Sequence, residues 1–196
     1  MTRSLFLVII CLFAASQSFS RDYKINSPDR KTGITIIAGN EIQWSVSYDG
    51  KEIFRSVKIA MVLADGRVLG ENEKVTNSTV NQLHEIIRPV VSTKRSEITD
   101  NCNILSIYFK SGFSVEFRAY NDGVAYRFET LLKGNISVSN EISELLFPAG
   151  SHSWYPLETS FMSHNERTFI YSSLDTIGEN HLASLPALFQ TIGVNI

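Results

Sequence analysis

Phe117-Arg118-Ala119-Tyr120-Asn121-Asp122-Gly123-Val124-Ala125-Tyr126-Arg127-Phe128 is the stretch that decides the fold. Two alternating runs flank Asp-Gly, a dipeptide that readily supplies positive φ at the centre of a tight primed turn, so the stretch reads as a β-hairpin. Phe113, Val115, Phe117 and Ala119 project to one face, and Val124, Tyr126 and Phe128 form the matching apolar set. The two sets share a face only across an even-length loop, and we expect Phe117 opposite Phe128 and Ala119 opposite Tyr126. The other face then carries Glu116, Arg118, Arg127 and Glu129, with Arg118 diagonal to Glu129 and Arg127 diagonal to Glu116.

Working outward, the same alternation recurs. Ile34–Ile37, Glu41–Tyr48 and Glu52–Phe54 are short strand candidates separated by Ala38-Gly39-Asn40 and Asp49-Gly50. Val57–Leu63 precedes Asp65-Gly66 and Val68-Leu69, and the polar stretch Glu71–Thr79 reads as a loop. Glu85–Val91 is extended, with Pro89 placing it at an edge or bend. Ile104–Phe109, Phe113–Tyr120 and Val124–Leu131 make the clearest meander, and Ile136–Ser139 and Glu144–Phe147 are two more short strands. No window sustains a helical period over three turns, so helices are minor. Strands at this spacing, punctuated by turn residues, predict an all-β antiparallel sandwich in one domain.

The N-terminus is a separate element. Arg3, the apolar run Ser4–Ala15 and the small residues Ser18 and Ser20 match a secretory signal peptide over 1–20, with cleavage before Arg21. The run is shorter than the ~20 residues a membrane span needs. Its removal takes Cys11 and leaves Cys102 alone in the polar stretch Asp100-Asn101-Cys102-Asn103, which reads as a turn. The domain over 21–196 therefore has no disulfide and relies on core burial, which at this size reaches roughly 68–70% of the unfolded surface. Net charge is −2, and Lys and Arg run no longer than Lys94-Arg95, so the electrostatic footprint of nucleic-acid binding is missing.

After Pro148 the composition changes. His152, Trp154 and Tyr155 precede Pro156, then Glu158–Arg167 mixes polar and aromatic residues. Trp154 and Tyr155 suit sugar recognition, since aromatic faces cover sugar CH surfaces while polar tips bind hydroxyls. The alternative is that both rings cover a sandwich edge. Glu71 with Glu73, or Glu141 with Glu144, could be acid/base pairs, although acidic residues on strands and turns are usually solvated. Glu158 and Glu166 are better placed, in a loop-like segment with His164 and Asn165. Those three neighbours, His164, Asn165 and Glu166, could give calcium some oxygen ligands, but not the six to eight or so of a complete site.

The hairpin string FRAYNDGVAYRF resembles a signature of the N-terminal domain of family 97 glycoside hydrolases. Further matches follow in family order: Ser27-Pro28-Asp29, Trp44–Lys51, Trp154-Tyr155-Pro156, Ser163-His164-Asn165-Glu166-Arg167 and Leu185-Pro186-Ala187-Leu188. Arg30 departs from the pattern, standing where the family usually has a turn glycine. The resemblance implies a supersandwich of the galactose-mutarotase-like type, which in these calcium-dependent α-glucosidases and α-galactosidases packs on a (β/α)8 barrel bearing the catalytic carboxylates. It implies that Glu166 reaches across to join barrel glutamates around Ca2+, and that this chain holds no catalytic residue. The run Leu182–Ile196 is apolar and strand-like to its last residue, so the expectation is a fragment of a longer exported, periplasmic enzyme acting on an α-linked oligosaccharide. Two alternatives stand beside it: a free carbohydrate-binding module using Trp154 and Tyr155, and a surface interaction domain without sugar affinity.

Overall fold

The structure is a computed structural model that describes residues 20–92, 94–163 and 166–192. Residues 1–19 of the segment expected to be a signal peptide, with His164 and Asn165, lie outside the described residues. Among the described residues the regular structure is strand, apart from one 3-10 turn at Leu174–Thr176. No helix among them is long and apolar enough to cross a membrane.

The first sheet runs β1 (Arg21–Asn26), β2 (Thr32–Ala38), β3 (Ile42–Tyr48), β4 (Lys51–Leu63) and β10 (Val138–Leu146), with β5 (Val68–Leu69) also pairing β4. The second runs β6 (Val75–Ile87), β7 (Ile98–Phe109), β8 (Phe113–Ala119) and β9 (Val124–Thr130). A third, smaller sheet follows: β11 (His152–Glu158) between β12 (Phe169–Ser173) on one side and β13 (Leu182–Ala183) and β14 (Leu188–Gln190) on the other. Among the described residues, every pairing of strands in the first two sheets is antiparallel.

Period-two burial explains the two main layers. Ile34 and Ile36 on β2 face Val46 and Trp44 on β3, and all four are buried. From the second sheet Leu105, Ile107, Phe113, Val115 and Phe117 close the same core. Trp44 ties the layers together, with its ring 5.1 Å from Phe54, 5.7 Å from Phe117 and 5.5 Å from Tyr126. The expected antiparallel sandwich is the observed fold.

The decisive hairpin forms, in a different register. Phe117 faces Tyr126 and Ala119 faces Val124, one full pair tighter than Phe117–Phe128 and Ala119–Tyr126. Tyr120 N–H donates to the Gly123 carbonyl at 2.8 Å, which centres the turn on Asn121-Asp122. None of Asn121, Asp122 and Gly123 enters the left-handed region, so Asp122-Gly123 is not a primed turn. Asp49-Gly50 is one: φ is 48° and 77°, and Tyr48 faces Lys51 directly.

The new register brings Glu116 opposite Arg127, with Nη2 3.1 Å from Oε1. Arg118 pairs with Glu116 at 2.9 Å on its own strand and approaches Asp100 at 3.6 Å, not Glu129. Other boundaries move too. The loop expected over Glu71–Thr79 gives way at Val75 to β6, an edge strand whose solvated faces make its sequence polar. Ile136–Ser139 and Glu144–Phe147 are replaced by one strand, β10, along β4. Cys102 is a fully buried strand residue on β7 and not part of a turn, and burial pushes its thiol up, as for an unreactive structural cysteine.

Candidate functional site

The third sheet holds the residues singled out for sugar and calcium. In β11 side chains alternate, so Trp154 and Tyr155 point to opposite faces. Tyr155 is buried at 7% exposure, alongside Ser151 and Ser153. Trp154 is half-buried on the other face, opposite Tyr171 of β12 and Leu188 of β14. Tyr171 lies between two rings, 4.2 Å from Trp154 and 5.1 Å from His152, the latter nearly parallel at 14°. The result is a three-ring aromatic surface. Trp154 and Tyr155 do not form one joint face; Trp154 shares its face with His152 and Tyr171.

Proline in this central strand is accommodated by its position. Pro156 falls between the stretch paired with β14 (His152–Trp154) and the stretch paired with β13 (Leu157–Glu158). Its carbonyl accepts from Ser184 N–H at 3.3 Å, so its missing N–H faces the gap between those two short strands.

Glu158 closes β11 and is not a solvated loop residue. Its side chain is 3% exposed. Arg167 Nε donates to Oε2 at 3.1 Å and Ser184 Oγ donates to Oε1 at 3.0 Å. Hydrogen bonds from Ser163, Arg167 and Ser184 hold its carboxyl below the usual carboxylate range, against the opposing effect of burial. Glu158 therefore fastens both arms of the segment between β11 and β12, and the start of the segment after β13. Because the folded pKa is depressed, this contribution is present above the ordinary glutamate range. It is lost as the pH falls through the lowered value. The acid limb of a stability-against-pH curve should thus be steeper for the native chain than for Glu158→Gln, measured by thermal melts between neutral and acid pH. Superimposable limbs would mean that the buried carboxylate is not coupled to folding.

Glu166 sits next to Arg167 in the coil before β12, and its side chain is exposed. It belongs to no ion pair among the described residues, and no group of three His, Cys, Asp or Glu that could hold a metal occurs among them. Glu158 and Glu166 thus have different surroundings: one is bonded and buried, the other open. Of the other carboxylates considered for acid/base work, Glu144 is exposed on β10 and three are engaged elsewhere. Glu71 pairs with Lys58, Glu73 accepts from Ser111 at 2.7 Å and Glu141 accepts from the Tyr126 hydroxyl at 2.7 Å.

Several large apolar side chains of this sheet and its connecting segments are exposed. Phe161 and Met162 are 93% and 92% exposed, and Tyr171, Leu185, Leu188 and Ile192 are each more than half exposed. Nothing in the sequence signals the part played by Tyr171 and Ser184, nor Arg167 as the partner of Glu158. The partners of Glu158 lie up to 26 residues away, a separation that no local pattern reports.

Residues 25–196 match the family model described as glycosyl-hydrolase 97 N-terminal. A retaining alpha-galactosidase of Bacteroides thetaiotaomicron is 30% identical over 195 residues, covering 95% of this chain and 29% of that protein. Two solved structures of a Glycoside Hydrolase Family 97 enzyme from Pseudoalteromonas sp. strain K8, one with panose and one with acarbose, superpose with a TM-score of 0.73 at 18% identity. Each match covers 87% of this chain and 27% of that enzyme. The chain thus spans under a third of the length of these relatives.

Proposed function

The chain belongs to the glycosyl-hydrolase 97 N-terminal family, and from that premise we propose that it serves as the non-catalytic sandwich of an exported glycoside hydrolase acting on α-linked oligosaccharides. The observation that carries this reading is the number of large apolar side chains left exposed on β11–β14 and their connecting segments, among them Phe161, Met162, Leu188 and Ile192. Single exposed apolar residues are ordinary, whereas this many on one small sheet support an interaction surface. Its proposed occupant is a catalytic (β/α)8 barrel, with Trp154 on the sugar side and Tyr155 buried beneath as its support.

Glu166 is proposed as the chain's ligand to Ca2+. The donor chemistry fits in one respect: an open carboxylate is the hard oxygen donor calcium prefers. A single carboxylate is also far short of the roughly six to eight ligands required, so the rest must come from the barrel. The ion would polarise or orient substrate oxygens there. This chain's own part is to hold Glu166 beside the Arg167–Glu158 pair.

Turnover assays with α-glucosides and α-galactosides test the non-catalytic assignment. Hydrolysis ordinarily needs two carboxyl groups roughly 5–5.5 Å or about 6.5–9.5 Å apart across the scissile bond. No activity above buffer is expected, and turnover abolished by Glu158→Gln or Glu166→Gln would overturn the assignment. A second reading, a free sugar-binding module, is favoured by the Trp154–Tyr171–His152 surface. Calorimetric heat with maltotriose, lost in Trp154→Ala, would support that reading over the first.

A further inference from the structure

Beyond the end of β8, the β6–β7 pair continues alone as a two-stranded ribbon. Its last pair with β8 is Asn103–Ala119, while the β6–β7 ladder runs on to Ile87–Ile98. The inner face changes character at that point. Leu105, Ile107 and Phe109 are buried against the first sheet, but Asn103 and Asn101 continue the same face with carboxamides, opposite Gln82 and His84. Asn103 Nδ2 donates to the Asn26 carbonyl at 2.7 Å, tying the ribbon to the end of β1. The ribbon, β1 and the β1–β2 turn enclose an open groove of about 510 Å³.

The groove's chemistry is uneven in one respect. Lys24, Arg30 and His84 line it together with the carboxamides, and no carboxylate does. None of those three has an ion pair among the described residues. The nearby carboxylate of Asp29 is already engaged, accepting from the Ser27 hydroxyl at 2.6 Å and the Lys31 amide at 3.0 Å. Arg30 also carries a backbone cost. Its φ is 65°, in the left-handed region where, among the described residues, the other two non-glycine residues are Asp49 and Asn72. Asp and Asn tolerate that region and arginine does not, so local folding alone would favour glycine at position 30. Strain held at a cleft is a reason to look for a ligand there.

We infer that this groove binds a short acidic saccharide, a sugar chain bearing carboxylate or sulfate groups. Carboxamides donate to and accept from adjacent hydroxyls, as Asn26, Gln82 and Asn101 are placed to do. Lys24 and Arg30 supply charge-assisted bonds to the acidic group. The volume lies in the usual range of about 300–1,000 Å³ for small-ligand sites. A free phosphate would leave most of the carboxamides unused, and the chain's net charge argues against a nucleic acid. The groove shares no residue with Trp154, Glu158 or Glu166, so its test is independent of the proposed function.

Calorimetry on the chain with trigalacturonate, with a sulfated heparin disaccharide and with maltotriose tests the inference. One or both acidic probes should bind, more weakly as salt is raised, and maltotriose should give no heat that depends on Lys24. Binding by trigalacturonate alone assigns a carboxylate, and by the heparin disaccharide alone a sulfate. Lys24→Gln should weaken binding about tenfold or more with the melting temperature unchanged. Arg30→Gly should weaken it similarly while the melting temperature rises by a few degrees, the reverse of what a purely structural arginine would do. No binding of either acidic probe at millimolar concentration overturns the inference, as does unaltered affinity in Lys24→Gln. Should Arg30→Gly melt lower than the native chain, Lys24→Gln decides alone.

Discussion

Phe117→Ala should remove about 3–5 kcal/mol of stability, a large share of the roughly 5–15 kcal/mol that holds a domain folded. Phe117 is fully buried, and its ring lies 5.7 Å from Trp44 of the first sheet and 6.2 Å from Tyr126 of the neighbouring strand. Truncation therefore opens a void between the two layers, where neighbours on rigid strands can only partly collapse. Urea denaturation should show the midpoint falling with its slope preserved. Val80→Ala, at a side chain 64% exposed on β6, should stay within about 0.5 kcal/mol. Similar losses for the two variants would mean that the layers are not held together through Phe117.

In a protein that joins this chain to a family 97 catalytic domain, Glu166→Gln should weaken calcium at least as much as outer-shell changes around metals do, about 10–100-fold. The substitution keeps size and loses the negative charge that a hard cation selects. Competition with a fluorescent chelator measures the affinity directly, and activity should fall and be partly restored by added calcium. Glu158→Gln is the contrast. Its carboxylate is committed to Arg167 and Ser184, so it should alter acid stability and leave calcium affinity in place. If Glu166→Gln kept native calcium affinity, Glu166 would be an ordinary solvated residue.

The strands and layers were legible because burial on one face forces alternation, as in Thr32–Ala38, whose even-numbered residues are all buried. The hairpin register was not legible from apolar alternation alone. A shift of two residues keeps each side chain on its face, so the hydrophobic pattern accepts both registers. Charge separates them. The expected register sets Arg118 against Arg127 and Glu116 against Glu129, whereas the adopted one sets Glu116 against Arg127. Strands with solvated faces, such as Val75–Thr79 in β6, hide because polarity there reports exposure and not backbone shape. Cys102 was misread for a related reason. Its polar neighbours sit where β7 runs beyond β8 into the two-stranded ribbon.

In the candidate site, residue type pointed to Trp154 and the family resemblance alone to Glu166, but neither revealed the contrasting environments of Glu158 and Glu166. The buried state of Glu158 depends on Arg167 and Ser184, brought to it by pairing β11 with β12 and β13. Tyr171 likewise becomes part of an aromatic surface only through its register with Trp154.

The path of the chain through β4 has a consequence for synthesis. One edge of β4 is covered at once by β3, its predecessor, while the other receives β10, whose Val138 faces Leu63. Roughly 75 residues therefore separate the two halves of that pairing, which at ~5–20 residues per second is about 4–15 s of translation. Throughout that interval the backbone groups along one edge of β4 have no native partner, and the entire second sheet is made before one arrives. The bare edge of β4 is therefore where a nascent-chain chaperone would have most to protect.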